Sequence, residues 1–423
     1  MTAIVGVLNK HAIAIAADSA ATINGALGRK VLNQATKIVT LSKFHPVAVM
    51  IYSSSSFLGT PWDVIVKLYR DRLGDNDFDS VSGYISDFIQ FLTDNHFFSS
   101  DELQKKYLRF QLFKFYQEIE SRAITQIGGE VTDSSKSYLF KTIKDRLNAL
   151  KVFYEQHHQC EGLASYTFER FQEYCTDIFK DLYEYIIDKT GAPEELFDLT
   201  KHVFYLLLKS SKNIVGYTGL VFVGYGKEEI FPSLMPINIA IAFDGVLRYY
   251  YDHQSEAIIS ESNSAAICPF AQTDVMETIL TGIDPSVKNF ISELFFKSLK
   301  AYSGLVSNTI KISDQNTVLS TAIENLDISG IKKVFDNAID DVIGKQYISP
   351  LVDTVAYLEK EDMAESLISL TFLKRRMMSS EESVGGPVDV AIISKSDGFV
   401  WIKRKHYFQK ELNHQFFSNY YKK

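Results

Sequence analysis

The order of strand-rich and helix-rich segments limits the folds open to this chain more than any other feature. Residues 2–59 have the pattern of short strands, residues 60–212 that of helices, and residues 213–251 that of strands again. A second helical stretch covers most of residues 285–373, and a hairpin within residues 388–403 follows it. Two blocks of hairpins separated by helices predict an α+β protein, in which two antiparallel sheets stack and helices cover them outside.

The first block contains four predicted strands with short connections. They are Thr2–Leu8, Ala12–Ala17, Lys37–Leu41 and Pro46–Tyr52, and a glycine-containing loop at residues 24–32 separates the second from the third. In the second strand alanine alternates with isoleucine, which is the period of two that a strand requires. The block therefore predicts two consecutive hairpins at the start of the chain.

The long helical stretch carries large apolar residues at helical spacing. Trp62, Ile65 and Tyr69 recur every three to four positions, and similar aromatic stripes follow further along the stretch. Thr60 followed by Pro61 predicts a helix start, because threonine is a common N-cap and proline favours the first helical position. These stripes are typical of helices that face a core.

Composition excludes several classes of function. A formal net charge of -8 gives no basic stripe for a nucleic acid, so no nucleic-acid partner is predicted. No apolar run reaches the length of a membrane span, and the N-terminus lacks the basic region of a signal peptide. We therefore expect a cytoplasmic protein without a membrane partner.

The sequence contains no recognisable metal or cofactor motif. Cys160, Cys175 and Cys268 are odd in number and widely separated, so neither a disulfide framework nor a zinc site is expected. The pair His157-His158 has no carboxylate or cysteine at ligand spacing. We predict that the protein uses no metal and no organic cofactor.

Thr2 directly follows the initiator methionine, which suggests chemistry at the N-terminus. Removal of Met1 before a small residue would leave Thr2 as the first residue, with a free α-amine. A threonine hydroxyl is a weak nucleophile until a base takes its proton. An α-amine, with a pKa of about 7.7–8.0, can be that base near neutral pH.

Such a site also needs a cation that keeps the amine unprotonated and favours the alkoxide. Lys37, at the start of the third predicted strand, is the candidate, and Asp18, at the end of the second, is the candidate that holds it. Taken one by one, Thr2 is a common second residue, Asp18 a strand-end residue and Lys37 a solvent-facing charge. The three together favour the catalytic interpretation.

Thr2, the segment "AIAADSAAT" with Asp18, and "ATKIVTL" with Lys37 resemble the β-subunits of the proteasome, the bacterial HslV protease and related N-terminal-nucleophile (Ntn) hydrolases. In these families an N-terminal threonine, an aspartate ending the second strand and a lysine before an apolar strand form the catalytic core. The spacing from Thr2 to Asp18 equals that of the family. The spacing to Lys37 is longer, as an insertion in the loop with Gly25 and Gly28 would explain.

The resemblance implies a four-layer αββα Ntn-hydrolase sandwich. Residues 1–74 and 213–423 would form its core, and residues 75–212 would be a mostly helical insertion. The family's members are shorter, so the added helices could cover the site or block the contacts of a closed ring. The last hairpin, in "SVGGPVDVAIISKSDGFVW", also resembles the closing segment of the family.

Further site residues follow only from the resemblance. The glycine whose backbone N–H serves the oxyanion hole falls on Ser53 and Ser54, and a backbone donor survives that change of side chain. Ser262 and Ser383 are the positions that match supporting serines. Asp389, in the closing strand, fits either a site role or a structural role.

The predicted activity is hydrolysis of a peptide or amide bond through an acyl-enzyme on Thr2. Two alternatives remain at this point. One is a small-molecule amidase or acylase of the Ntn superfamily, with the helical insertion as a lid over its pocket. The other is a non-catalytic assembly or interaction protein that retains the fold. Homo-oligomerisation is left open.

Overall fold

A computed structural model describes residues 2–25, 28–32, 35–94, 100–129, 131–314, 321–323, 327–355, 360–377, 385–406, 410–415 and 418. Met1 and Ser383 lie outside these ranges. The protein is a mixed α/β protein with antiparallel sheets. Within the part of the chain that the structure describes, no helix is both long enough and apolar enough to cross a membrane.

The strands occur in three groups along the chain. They are β1 (Ala3–Asn9), β2 (Ala12–Ala17), β3 (Ala21–Gly25), β4 (Gly28–Leu32), β5 (Ile38–Thr40), β6 (Val47–Ser53), β7 (Ser56–Phe57), β8 (Thr60–Pro61), β9 (Thr218–Gly224), β10 (Ser233–Phe243), β11 (Val246–Tyr251), β12 (Ala257–Ile258), β13 (Ala265–Ala271), β14 (Asp389–Ser394) and β15 (Gly398–Lys403). The predicted hairpins are thereby confirmed, with ends that differ by a few residues.

The α-helices lie between these groups. They are Trp62–Leu73, Val81–Asp94, Asp101–Gln126, Lys136–Glu155, Phe168–Tyr174, Thr176–Tyr183, Glu194–Lys209, Thr273–Thr281, Pro285–Asp314, Ser329–Ile343, Ser349–Val355 and Lys360–Met377. One-turn 3-10 helices occur at Glu161–Leu163 and Lys410–Leu412, and π-helical turns at Glu184–Asp188 and Gly344–Ile348. The two predicted helical stretches are confirmed.

The chain forms two compact units. The first consists of Met1–Ala35, Ile259–Ile392 and Trp401–Lys423, and the second of Thr36–Ile258 and Ile393–Val400. This division differs from the sequence-based boundaries, because the first hairpin block is shared between the units. The helical residues 75–212 all belong to the second unit, and their description as an insertion stays a prediction.

The sheet of the first unit has the strand order β13-β1-β2-β14-β15. In β1, side chains such as Val5 and Val7 pack against Leu367 and Ile368 of the helix Lys360–Met377. Every residue of β1 and β2 is buried, including those that point to the face opposite this helix. The alternation of alanine and isoleucine in β2 thus belongs to a strand covered on both faces, not to one half exposed to water.

The main sheet of the second unit has the order β11-β10-β9-β6-β5, and β12 pairs with β10. The helices Trp62–Leu73 and Val81–Asp94 cover one face through aromatic residues. Phe88 lies edge-on to Phe222 of β9, with ring centroids 5.4 Å apart. Buried aromatic side chains contribute about 1.5–3 kcal/mol each, so this layer helps to hold the two helices on the sheet.

Candidate active site

Thr2 lies at the N-terminal end of an inner strand, where its backbone is held. It precedes β1, which pairs with β2 on one edge and β13 on the other. The N–H of Gln272 donates to the Thr2 carbonyl oxygen at 3.2 Å, and the N–H of Asp18 donates to that of Ala3 at 3.1 Å. The ladder on both edges therefore fixes the position from which the Thr2 side chain projects.

The Asp18 carboxylate is anchored beside this strand end. Its Oδ1 accepts the N–H of Ala3 at 2.8 Å, and its Oδ2 accepts those of Ala20 at 3.1 Å and Gly385 at 3.2 Å. The side chain is 1% exposed. A carboxylate so buried needs such donors, because an unpaired buried charge is strongly unfavourable. The structure thus brings Asp18 to the residue that follows Thr2.

The loop before β14 completes this arrangement. The Ser19 N–H donates to the Gly385 carbonyl oxygen at 3.1 Å, and the Ser19 hydroxyl donates to that of Pro387 at 2.5 Å. The "GGPV" segment was predicted only as part of a closing hairpin. Its contacts with Asp18 and Ser19 were missed because they use main-chain groups, which leave no side-chain signature.

A polar cluster adjoins Thr2 on its other edge. Arg375 Nε donates to Gln272 Oε1 at 2.8 Å, and the Arg375 guanidinium pairs with the carboxylate of Asp274. Ala271, which is paired with Ala3, has a φ of 70°, in the left-handed region that alanine rarely adopts. Neither the cluster nor the strained residue was predicted from the sequence.

Lys37 belongs to the second unit, at the start of its edge strand. The Ile51 N–H donates to the Lys37 carbonyl oxygen at 2.8 Å, one position before the pair Ile38 and Met50. Lys37 is only 5% exposed. The interpretation of Lys37 as a solvent-facing charge is therefore wrong. A lysine this buried is unusual, since ammonium groups remain in water unless the protein holds them.

Ser53 and Ser54 lie at the end of β6 in the same unit. Ser53 has a φ of 70°, a backbone conformation that favours glycine. The Ser54 N–H donates to the Tyr217 carbonyl oxygen at 3.1 Å. Because antiparallel ladders alternate, the N–H of Ser53 points to the opposite edge, the side on which Ile51 meets Lys37. The N–H of Ser54 is thus engaged, so Ser53 is the residue whose N–H is the candidate donor for an oxyanion hole.

Side chains behind Ser54 fix its position. Its carbonyl oxygen accepts the Thr218 hydroxyl at 3.0 Å, and that hydroxyl accepts Nε1 of Trp62 at 2.7 Å. Burial raises the pKa of the neighbouring Tyr52 well above its usual range, and Tyr217 raises it further. Tyr52 therefore stays protonated at neutral pH and adds no charge here.

The remaining predicted residues have different surroundings. Ser262 is exposed in a turn, where its hydroxyl contacts that of Ser260 at 3.1 Å. Ser383 lies outside the described residues. Asp389 accepts the Lys405 N–H at 2.8 Å and pairs with the ammonium of the same residue. This ion pair gives Asp389 a structural role.

The described residues contain no group of three or more His, Cys, Asp or Glu side chains that could hold a metal ion. No known protein-family model matches the chain, and no curated protein matches its sequence. Any functional assignment must therefore rest on the geometry within each unit, around Thr2 and Asp18 in the first and around Lys37 and Ser53 in the second.

Proposed function

We propose that this protein is an N-terminal threonine hydrolase that cleaves a peptide or amide bond. The observation that carries the proposal is the Asp18 carboxylate, which is buried and accepts the N–H of Ala3 at 2.8 Å. It supports the proposal because a carboxylate anchored beside the first strand is what a catalytic Thr2 would need. Removal of Met1 is part of the proposal.

In the proposed reaction, the Thr2 α-amine takes the proton of the Thr2 hydroxyl, and Oγ1 attacks the substrate carbonyl carbon. Collapse of the tetrahedral intermediate breaks the C–N bond, and the ammonium returns its proton to the leaving nitrogen. Water then attacks the resulting ester and gives a proton to the amine. The C–Oγ1 bond breaks, the ammonium returns this proton to Oγ1, and the acid leaves. Lys37 would favour the alkoxide and keep the amine unprotonated, and Asp18 would orient Lys37.

The proposed oxyanion donor is the backbone N–H of Ser53. The resemblance places a glycine at Ser53 or Ser54, and Ser53 has the positive φ that favours glycine. Ser54 becomes a support, since its N–H already donates to Tyr217. A backbone donor fixed in this way would stabilise the developing oxyanion without reorganisation.

The finer fold assignment is also a proposal, namely the four-layer αββα sandwich of the Ntn hydrolases. Two features support it. Each unit has an antiparallel sheet with helices packed on one face. In addition, β1, β2 and β9 are buried along their whole length, on both faces. Strands buried on both faces are expected in the inner layers of such a fold.

The nucleophile is tested by comparing wild type with Thr2→Ser and Thr2→Ala, on peptide and small-amide substrates. Thr2→Ser keeps a hydroxyl and should retain some activity. Thr2→Ala should lose about 10⁴–10⁶-fold in rate, the usual result of removing a covalent nucleophile. A peptide epoxyketone reacts with both the hydroxyl and the amine, so its mass should add only to chains that begin with the free Thr2.

The results also separate the alternatives. Hydrolysis of a short amide, with none of peptides or unfolded protein, would favour a small-molecule amidase. Intact-mass analysis that finds Met1 on most molecules would favour a non-catalytic assembly protein, because a blocked amine cannot be the base. Equal hydrolysis by wild type and Thr2→Ala would refute the assignment of Thr2.

Homo-oligomerisation in the cytoplasm completes the proposal. On the helix Pro285–Asp314, Phe290, Leu294 and Leu305 are 66%, 51% and 66% exposed and recur along one stripe. A second copy of the chain could cover this stripe. Light scattering should give a mass above that of one chain, and Leu294→Glu should lower it, whereas Asn289→Glu, off the stripe, should not. A monomeric wild type would refute oligomerisation.

A further inference from the structure

A cleft of about 640 Å³ lies within the helical part of the second unit. Its walls are the helices Asp101–Gln126 and Lys136–Glu155, with residues 212–215 at one side. The volume falls in the range of about 300–1,000 Å³ that is common for small-molecule sites. None of the proposed catalytic residues lines the cleft, so the proposed hydrolysis does not account for it.

The inner wall of the cleft is apolar. Phe115 and Ile119 come from the first helix and Leu150 and Phe153 from the second, and Val215 adds a further apolar group. Phe153 is 42% exposed and Val215 is 45% exposed, although both line a concave surface. Apolar groups that remain open to water in a concavity gain free energy when an apolar ligand covers them.

Positive charge surrounds this apolar wall. Lys114, Arg122, Arg146 and Lys212 line the cleft together with a single carboxylate, that of Glu118. Lys114 and Glu118 pair loosely, at 3.9 Å. Among the described residues, none of the other three cations forms an ion pair, although Glu118 lies one helical turn before Arg122. Three unpaired cations at one cleft are notable in a chain whose formal net charge is -8.

The wall formed by residues 212–215 is held from behind. The buried Arg248 donates through Nη2 to the Lys212 carbonyl oxygen at 2.6 Å, and the Tyr250 hydroxyl donates to Asn213 Oδ1 at 2.6 Å. The amide of Gln111 donates to the carbonyl oxygen of Val215. A wall fixed in this way loses little conformational freedom when a ligand binds.

We propose that this cleft binds a small amphipathic anion, with an apolar chain or ring and one carboxylate or phosphate headgroup. The apolar part would cover Phe153 and Val215. The headgroup would lie between Arg122, Arg146 and Lys212, where guanidinium groups can hold two oxygens at once. Cationic ligands of the same shape are disfavoured by the excess positive charge.

The test is isothermal titration calorimetry of the full-length protein with four probes of equal chain length, octanoate, octyl phosphate, 1-octanol and octylamine. At least one anion should bind with a dissociation constant below about 1 mM, and the alcohol and amine should bind at least tenfold more weakly. Comparing octanoate with octyl phosphate shows which headgroup the cleft prefers. Equal binding of octylamine, or binding of neither anion, overturns the proposal.

Variants locate the site. Arg122→Gln combined with Lys212→Gln should weaken binding of the anion tenfold or more, because two of the three unpaired cations are removed. Lys141→Gln, on an exposed part of the helix Lys136–Glu155 outside the cleft lining, is the matched control and should bind like wild type. Circular dichroism checks that both proteins are folded. Anion binding that the double variant leaves unchanged places the ligand elsewhere and refutes the cleft.

Discussion

Replacing Asp18 by asparagine should destabilise the first unit strongly. The carboxylate accepts three backbone N–H groups, from Ala3, Ala20 and Gly385, at 2.8–3.2 Å. Asparagine has one acceptor oxygen, and its NH₂ group cannot accept. In its better orientation the amide oxygen replaces Oδ2 and keeps two of the donors, so the N–H of Ala3 loses its acceptor.

The magnitude follows from these three bonds. Hydrogen bonds to a charged group contribute about 1.5–3 kcal/mol each, whereas neutral ones contribute about 1 kcal/mol. Losing one bond and weakening two therefore lowers the free energy of unfolding by about 4 kcal/mol. At about 2–4 °C per kcal/mol for a domain of this size, the midpoint should fall by about 10 °C.

The measurement is thermal and urea unfolding of wild type and Asp18→Asn, followed by circular dichroism. Asp341→Asn is the control in the same unit, because Asp341 forms an exposed pair with Lys345 at 2.7 Å. Exposed pairs of this kind contribute well under about 1 kcal/mol. If Asp18→Asn unfolds within about 1 kcal/mol of wild type, the carboxylate does not hold the strand end as described.

Three further outcomes are expected. Lys37→Ala should abolish amide hydrolysis, and near wild-type turnover would contradict the proposed role of Lys37. Because Lys37 is 5% exposed, its loss can also unfold the protein, so activity must be normalised to the amount of folded protein. Arg248→Lys should lower the free energy of unfolding by about 3 kcal/mol in urea titrations, since one ammonium cannot reach the carbonyl oxygens of Leu208, Ser210 and Lys212 that the guanidinium bridges. Bonds from Ser286 and Lys374 hold the pKa of Asp284 at about 2 rather than 3.8, so its contribution is complete above pH 3.8 and is lost as the pH falls through 2. Asp284→Asn should accordingly melt below wild type at pH 6, and the difference should shrink as the pH falls to 2 and below.

Local patterns in the sequence were enough to predict most of the secondary structure. The hairpin of β1 and β2 follows from the period-two alternation of its residues, and β10 and β11 lie in the segment 213–251 that has the pattern of strands. In contrast, β3 and β4 were predicted as a loop, because their glycines and polar residues resemble a connection. β13 was missed because its pairing with β1, distant in the chain, decides its conformation.

Helix ends show the same limit. Thr60 was predicted as the N-cap of the first helix, but it lies in the short strand β8 and the cap position is Pro61. Backbone pairing with Phe57 competes for Thr60 and outweighs its intrinsic preference. Local propensity therefore located the helix correctly and misplaced its N-cap by one residue.

At the candidate site, the sequence drew attention to certain side chains but not to the groups that contact them. The sequence identified Asp18 and Lys37, yet it gave no means to see that Gly385 donates to Asp18 or that Tyr217 occupies the N–H of Ser54. Both partners are main-chain groups brought in from distant parts of the chain. The burial of Lys37 likewise could not be predicted, because no local pattern in the sequence shows how exposed a residue beside an edge strand is.

The donors around Asp18 have a consequence for how such a site can change over evolution. To Asp18 itself, Ala3, Ala20 and Gly385 contribute only their N–H groups, so the hydrogen bonds do not depend on which side chains these residues carry. Their packing limits size instead, because Ala3 and Ala20 are fully buried and a Cβ at Gly385 would lie 3.2 Å from Phe372. A site whose hydrogen bonds come from main-chain groups places few demands on residue identity. Two chains could therefore share its geometry without recognisable sequence similarity.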